Sequence, residues 1–275
     1  MAGNPFFRQF HPAWEETRST LHAYAHASTA VARSAAVPHP KWWHVSLKVR
    51  PEGLSTDPTP IPSGGALAVV MDLNNHVITL RSSDGLARSF SMRDGMTATE
   101  MGDALTAAAA EAGLDTPVER DRFVNEAERP YEPLAAEAFF EIITNASGVM
   151  RRQKLIVGDP TGPVQIWPHG FDMAFEWFGS KDVEHVEDGR TLTQKAQMNF
   201  GLYPGGEPYF YSNPWPFEAE ILVGKALPAG ASWHLEGWQG AILPYAAVAG
   251  APSGSERVAE FFTRVHELAS PTLGR

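Results

Sequence analysis

Two kinds of hydrophobic pattern follow one another along this chain, and their order limits the fold more than any other feature. Residues 13–33 place apolar side chains at helical spacing, and several short runs with strand-like alternation follow. A second helix is predicted to start at Thr97, where Glu100 stands at the position that completes a capping box. A similar order of helix, strands and helix returns after residue 133. The sequence therefore predicts an α+β fold with mostly antiparallel sheets and packed helices.

The predicted elements are four helices and a series of short strands. The helices cover residues 13–33, 97–112, 134–145 and 255–269. The strands cover residues 42–49, 66–73, 76–82, 86–92, 153–157, 164–166, 173–178, 196–202, 209–211, 232–234 and 241–243. Asn74-Asn75 is predicted to form a two-residue hairpin turn, since asparagine tolerates positive φ. The elements predict a single structural unit over residues 1–275, within which residues 13–115 and 133–270 are candidate halves.

Composition and charge exclude several classes of function. The net charge is −10 and the basic residues are scattered, so we expect no nucleic-acid partner. The chain has no cysteine, which excludes disulfides, thiolate zinc sites and cysteine nucleophiles. No apolar run approaches the length of a membrane span, about 20 residues, and the N-terminus lacks the pattern of a signal peptide. We therefore expect a cytoplasmic protein with a small-molecule ligand and no membrane partner, while the oligomeric state stays open.

A histidine and a carboxylate stand close together inside an aromatic run. His169 and Asp172 lie three residues apart, and Trp167, which we predict as a ligand-binding residue, is among the aromatic residues around them. Apolar surroundings shift pKa values and strengthen electrostatic interactions, so this pair is a candidate for general acid/base catalysis, with Asp172 orienting His169. The proline before His169 and the glycine after it predict a bend between two strands. The alternative is a structural turn that Asp172 caps and at whose surface His169 lies.

A second candidate is the segment Trp42-Trp43-His44. In the strand predicted there, Trp42 and His44 share one face, which would set an aromatic platform beside a hydrogen-bond donor. We predict His44 as a further catalytic residue and Trp42 and Trp43 as ligand-binding residues. The alternative is a histidine that faces solvent and stacks on a tryptophan.

His22 and His26 lie four residues apart on the first predicted helix, so both point to the same side. This is the spacing of paired zinc ligands, but alanine follows His22 where the zinc-protease pattern has glutamate. The alternative is a solvated helix flank. The sequence also leaves open a mixed metal site in which His44 or His169 joins the pair. No cofactor is predicted, since neither a dinucleotide fingerprint nor a phosphate-binding loop is present.

Aromatic residues with polar tips are concentrated in the segment 203–215. Tyr209 and Tyr211 share one face of a predicted strand, and Glu207 precedes them. Such rings suit sugars and other flat ligands, so we predict these three residues as ligand-binding. The alternative is that the rings fill the core. An anionic ligand would need a locally positive surface, for which the nearest basic candidates are Arg18, Lys48, Arg50 and Arg81.

Blocks of sequence in a fixed order also resemble a known family. The N-terminal blocks are Trp14-x-x-Thr-Arg-Ser-Thr-Leu-His22, Trp42-Trp43-His44-Val45 and Gly53-Leu54-Ser55-Thr56. The later blocks are residues 163–172, residues 203–211 and Leu243-Pro244-Tyr245. They are similar to the signatures of an uncharacterised family of bacterial proteins, a domain of unknown function. The resemblance extends over nearly the whole chain and implies one continuous unit, and it transfers no activity, cofactor or catalytic residue.

Three functional hypotheses fit these observations. The first is a cofactor-independent enzyme, a hydrolase or lyase, that acts on a small organic molecule in an aromatic-lined pocket by His/Asp acid/base chemistry. The second is a non-catalytic protein that binds a small molecule or a carbohydrate through the same aromatic walls. The third is a metal-dependent enzyme with histidine and carboxylate ligands. The arrangement of the histidines relative to the aromatic side chains distinguishes the first two.

Overall fold

The computed structural model describes residues 5–187 and 189–274 and confirms the α+β fold. Its α-helices are α1 (Trp14–Ala35), α2 (Ala98–Glu111), α3 (Pro133–Val157), α4 (Ala219–Leu222) and α5 (Gly254–Ala269). Its strands are β1 (Lys48–Arg50), β2 (Gly53–Ser55), β3 (Thr59–Pro60), β4 (Ala66–Asp72), β5 (Val77–Ser82), β6 (Ala87–Ser91), β7 (Gln165–Trp167), β8 (Asp172–Glu187), β9 (Arg190–Tyr203), β10 (Tyr209–Trp215), β11 (Ser232–His234) and β12 (Gly240–Pro244). In the described part of the chain, no helix is long and apolar enough to span a membrane.

The chain forms two compact units, and each is built from separate stretches of sequence. The N-terminal unit consists of Phe10–Thr144 and Gln165–Asp172. The C-terminal unit consists of Met1–Gln9, Asn145–Val164 and Met173–Arg275. Residues 165–172, which carry the predicted His169–Asp172 pair, therefore fold with the first half of the chain rather than with their neighbours in sequence.

The N-terminal unit packs helices α1 and α2 with an antiparallel sheet in the order β1-β2-β4-β5-β6, and β3 pairs with β4. Helix α1 buries Leu21 and Tyr24 completely, and the Tyr24 hydroxyl donates a hydrogen bond of 2.7 Å to the carbonyl of Met96. Helix α2 begins with the predicted capping box: the Thr97 hydroxyl accepts from the Glu100 N–H, and the Glu100 carboxylate accepts from the Thr97 N–H.

The C-terminal unit is built on antiparallel strands in the order β11-β12-β10-β9-β8. Helix α5 covers one face of this sheet, because its apolar stripe meets the inward-facing side chains of the central strands. Phe262 contacts Phe200 and Phe210 with ring centroids 5.4 and 6.1 Å apart. Successive residues of a strand point to opposite faces, so Tyr209 and Tyr211 lie on the face opposite Phe210.

The strand predicted over residues 42–49 is wrong for most of its length. A short 3-10 helix covers Trp43–Val45, and only Lys48–Arg50 forms strand β1. Trp42 has a left-handed backbone (φ 59°), and its carbonyl accepts a hydrogen bond from Val45 N–H. This tight turn breaks the alternation, so the predicted sharing of a strand face by Trp42 and His44 does not apply.

Two further local predictions are also wrong, for identifiable reasons. Residues 153–157 end helix α3 instead of forming a strand, since Gln153 and Val157, four residues apart, are both buried. The predicted two-residue turn at Asn74-Asn75 is a four-residue loop between Asp72 and Val77. There the Asp72 carboxylate accepts hydrogen bonds from both asparagine N–H groups, which favours the longer loop.

The capping box gives a first prediction. Replacing Thr97 with alanine leaves the N–H of Glu100 without its acceptor, so we expect the free energy of unfolding to fall by about 1 kcal/mol. Urea denaturation monitored by circular dichroism measures this change. A Thr97→Ser variant keeps the hydroxyl and should unfold close to wild type; equal losses in both variants would contradict a role for the cap.

Candidate functional site

Helix α1 carries a row of basic side chains on the side away from its buried stripe. Arg18, His22, His26 and Arg33 follow one another at intervals of four, four and seven residues, which places them on one side of the helix. We call these four residues the basic face of α1. All four are partly exposed, in contrast to Leu21 beside them.

The turn formed by residues 167–171 lies beside the basic face. Phe171 N–H donates to the Trp167 carbonyl at 2.7 Å, and Phe171 itself has positive φ (55°). The buried Phe171 ring stacks on His22 (5.7 Å between centroids), which holds the turn against the helix. A Cβ at Gly170 would lie 2.8 Å from a carboxylate oxygen of Asp172, so Asp172 folds back over the turn.

His169 occupies the exposed tip of this turn, with the Trp167 ring 5.8 Å away. The predicted partner Asp172 is partly buried at the start of β8, with a carboxylate oxygen close to Gly170. His169 therefore has an accessible imidazole, and the Asp172 carboxylate lies beside the turn that carries it.

A hydrogen bond between helix α1 and the turn formed by residues 167–171 fixes the orientation of the His22 ring. Its Nε2 lies 2.8 Å from the carbonyl oxygen of Pro168. A carbonyl only accepts, so Nε2 carries the proton, and in the neutral ring Nδ1 is then the basic nitrogen. Burial lowers the pKa of His22, and the charge of Arg18 adds to this effect, while the Pro168 carbonyl opposes it. His22 is therefore a neutral imidazole with an assigned basic atom near pH 7.

His26 lies one helical turn further along, and its ring centroid is 5.0 Å from that of His22. Burial, together with the charges of His22, Arg33, His169 and Arg122, lowers the pKa of His26 from 6.5 to about 4. Like charges in one place oppose further protonation. The charge of His169 contributes to the lowered pKa of both His22 and His26.

The predicted residues of segment 42–44 stand at the other end of the basic face. The Arg33 guanidinium lies 5.5 Å from the centroid of the Trp42 ring, and that ring stacks on His44 at 5.6 Å. Trp42 is 56% exposed, which is unusual for so large an aromatic side chain. The His44 Nδ1 accepts from His39 N–H at 3.1 Å, which leaves Nε2 as a donor in the neutral ring. Trp43 stacks on His39 at 4.2 Å.

Backbone hydrogen bonds join the chain just after segment 42–44 to the chain just before the turn formed by residues 167–171. Leu47 and Ile166 exchange backbone hydrogen bonds of 2.9 and 2.7 Å, and the Ser46 hydroxyl donates to the Gln165 side chain. The segment that carries His44 and the segment that carries His169 thus meet within the N-terminal unit. Burial and the charge of Arg33 lower the pKa of His44. The charge of Arg33 also lowers the pKa of His26, so it acts on histidines of both segments.

The other predicted ligand-binding residues belong to the C-terminal unit. Tyr209 and Tyr211 form a cluster with Tyr203 and Trp238, in which ring centroids are 5.4 to 6.3 Å apart. A Cβ at Gly201 would collide with the Tyr211 ring, so this ring lies flat on the neighbouring strand. Glu207 is exposed in the turn before β10. These rings therefore pack on one another.

The sequence patterns predict no role for Arg33 or Arg122, although the charges of both lower the pKa of His26. Arg33 lies on the same side of α1 as His22 and His26, and its position in the sequence could have indicated this. Arg122 comes from the charged connector after α2, and only the folded chain brings it near Arg33. No group of three or more His, Asp or Glu side chains that could hold a metal ion occurs among the residues that the structure describes.

The lowered pKa of His26 predicts a pH dependence of stability. Between pH 6.5 and about 4, His26 is protonated in the unfolded chain and neutral in the folded one, so the unfolded state binds more protons. Stability from this group is therefore present above pH 6.5 and lost as the pH falls. Urea denaturation at pH 7 and pH 5 should show a larger loss in wild type than in His26→Gln. Equal losses in both proteins would show that His26 titrates normally.

The comparisons with known proteins agree with the resemblance seen in the sequence blocks. A search of curated proteins and a search of solved structures each found no match. A model of a family of unknown function, DUF5996, matches residues 10–274, which is nearly the whole chain. The chain therefore belongs to this family of unknown function.

Proposed function

We propose that this protein is an enzyme that acts on a small organic molecule by acid/base chemistry at the basic face of α1. The observation that carries the proposal is the hydrogen bond between His22 and the Pro168 carbonyl, next to the exposed His169. It assigns the tautomer of His22 and leaves Nδ1 as a base on a ring that does not need to reorient. Positioned bases of this kind contribute roughly 10²- to 10⁴-fold to a rate.

The proposed roles follow from exposure and charge. His22 accepts the substrate proton at Nδ1, since burial and Arg18 keep it neutral. His169, at the accessible tip of the turn, contacts the substrate directly and exchanges the second proton. Asp172 supports the turn that presents His169. His26 stays neutral beside His22, and so it adds no positive charge that would suppress protonation of the base.

The aromatic residues near the basic face complete the proposed site. Trp167 borders His169, and the exposed Trp42 together with the His44 donor borders Arg33. Trp43 stacks on His39 and supports the same loop. The reaction class that fits these groups is a proton transfer, hydrolysis or lyase-type elimination that the histidines carry out themselves. A cytoplasmic location in a bacterium is part of this proposal.

The second candidate function is a non-catalytic protein that binds a carbohydrate or another flat ligand. The aromatic cluster on the sheet of the C-terminal unit favours it, since Tyr211 lies flat over Gly201 and Trp238 stacks near Tyr209. Flat rings with polar tips are typical of surfaces that bind sugars. Glu207 and Tyr203, at the edge of the cluster, would add polar contacts.

A substrate screen with matched variants tests the catalytic proposal. Purified protein is incubated with a panel of p-nitrophenyl esters and with a bacterial metabolite extract, and turnover is followed by absorbance and mass spectrometry. In His22→Gln, the glutamine amide keeps a donor for Pro168 but has no basic nitrogen. We expect this variant and His169→Asn to lower turnover at least roughly 100-fold, with urea unfolding close to wild type.

His11→Asn is the matched control. The His11 Nδ1 accepts from the Ala13 N–H at the start of α1, and asparagine keeps an acceptor there, so turnover should be unchanged. Turnover that survives in both His22→Gln and His169→Asn would refute the assigned roles. A wild-type protein that transforms nothing but binds sugars on a glycan array would favour the second function.

A further inference from the structure

Three of the four basic candidates nearest to the predicted site in sequence, Arg18, Lys48 and Arg50, are already engaged within the protein. The Arg18 guanidinium forms a bidentate ion pair with Glu15. Asp57 lies 3.0 Å from Lys48 Nζ and 3.8 Å from Arg50. Lys48 also donates to the Trp43 carbonyl and to the Ser46 hydroxyl. These cations neutralise groups of the protein itself and are poorly placed to attract an anionic ligand.

Arg33 and Arg122 differ from them. Neither guanidinium donates a hydrogen bond or forms an ion pair to any residue in the described part of the chain. Arg33 is partly buried against Trp42, and burial together with the charge of Arg122 lowers its pKa. Glu119 and Asp121 oppose this effect from the neighbouring connector without pairing with Arg33. Two unpaired cations thus stand close enough to disfavour one another.

The connector that carries Arg122 is held in place at the end of α1. Glu119 N–H donates to the Ser34 hydroxyl at 3.1 Å, next to Arg33 in sequence. The His44 Nδ1 accepts from the His39 N–H, so Nε2 carries the proton in the neutral ring. The exposed Trp42 indole lies 5.5 Å from the Arg33 guanidinium, and the His44 ring stacks on that indole at 5.6 Å.

We propose that the carboxylate or phosphate group of a substrate binds between Arg33 and Arg122, with Trp42 as the aromatic wall of this anion site. An anion there would pair two cations that the protein leaves unpaired, and guanidinium groups bind both oxyanions through two parallel N–H donors. The anion site stands on its own geometry; calling its ligand the substrate rests on the function proposed above.

The distance between His22 and Arg33 along the basic face indicates how long the substrate is. Arg33 follows His22 by eleven residues, so the helical rise separates them by roughly 16 Å along the axis. The arginine side chain shortens this separation because helical side chains lean toward the N-terminus. The substrate is therefore elongated, with the reacting group several bonds away from its anionic end.

Isothermal titration calorimetry at low ionic strength tests the anion site, because salt screens exposed charges. The probes are inorganic phosphate and benzoate, which represent the two oxyanion classes. We expect saturable binding of at least one of them to wild type, and roughly tenfold weaker binding to Arg33→Gln and to Arg122→Gln. The tighter of the two probes identifies the anionic group.

Arg81→Gln is the matched control, since Arg81 is also an exposed arginine of the N-terminal unit but lies on strand β5. Its affinity should equal that of wild type. A Trp42→Phe variant reports on the wall: the change in tryptophan fluorescence on binding should be lost in it. Equal weakening by all three arginine substitutions would indicate binding by net charge alone and would overturn the proposal, as would absence of binding to wild type.

The same variants separate this inference from the proposed function. His22→Gln should bind the anion as wild type does while losing turnover. Turnover that needs His22 but is indifferent to Arg33→Gln would refute the binding of the substrate's anionic group at this site and would leave the acid/base roles intact. Anion binding that needs Arg33, in a protein whose turnover ignores His22 and His169, would refute the acid/base roles alone.

Discussion

The burial of the apolar side of helix α1 is the constraint on which the N-terminal unit depends. Leu21, Tyr24 and Val31 are almost entirely excluded from solvent, and each contributes roughly 1.5–3 kcal/mol of transfer free energy when buried. A helix has 3.6 residues per turn, so burial of this side also determines the direction in which the basic face of α1 points. His22 and His26 are consequently held at the boundary between the core and the solvent.

This boundary position explains the electrostatics of the site. Complete burial would make a protonated imidazole very costly, and complete exposure would leave its pKa near the ordinary value. Partial burial, added to the positive charges of Arg18 and Arg33, keeps His22 and His26 neutral. Arg33, which forms no ion pair in the described part of the chain, also gives this surface a local positive charge in a chain whose net charge is −10. One arrangement thus supplies both neutral bases and a local positive potential.

Residues with unusual backbone angles place the partners of the basic face. Trp42 and Phe171 both have positive φ, a conformation that costs energy for large side chains and that the surrounding structure must support. Phe171 is compensated by burial against His22 and Phe139. Trp42 is instead exposed, and its ring contacts Arg33 and His44. Its backbone conformation is supported by hydrogen bonds with His39 and Val45.

Patterns that depend on near neighbours were predicted correctly from the sequence. The α+β class follows from alternating periods, and the Thr97–Glu100 capping box follows from two residues and one helix start. The errors arose where a side chain or a distant segment competes with the local pattern. The hydrogen bonds that Asp72 accepts favour a longer loop than the two-residue turn predicted from the two asparagines. The burial of Gln153 and Val157 on one side of a helix outweighs the strand preference of the β-branched residues there. The position of Asp172 beside the turn became visible only in three dimensions.

By itself, the sequence determined the secondary-structure class, the absence of cysteine chemistry and the set of histidines, arginines and tryptophans from which a site can be built. The tertiary structure alone decided which of them meet. Residues 165–172 join the N-terminal unit through the Leu47–Ile166 ladder, and the connector that carries Arg122 is held at the end of α1 by the hydrogen bond from Glu119 N–H to the Ser34 hydroxyl. Helical and strand periods are local properties of the sequence. Contacts between distant segments result instead from long-range burial and pairing, which a short stretch of sequence does not reveal.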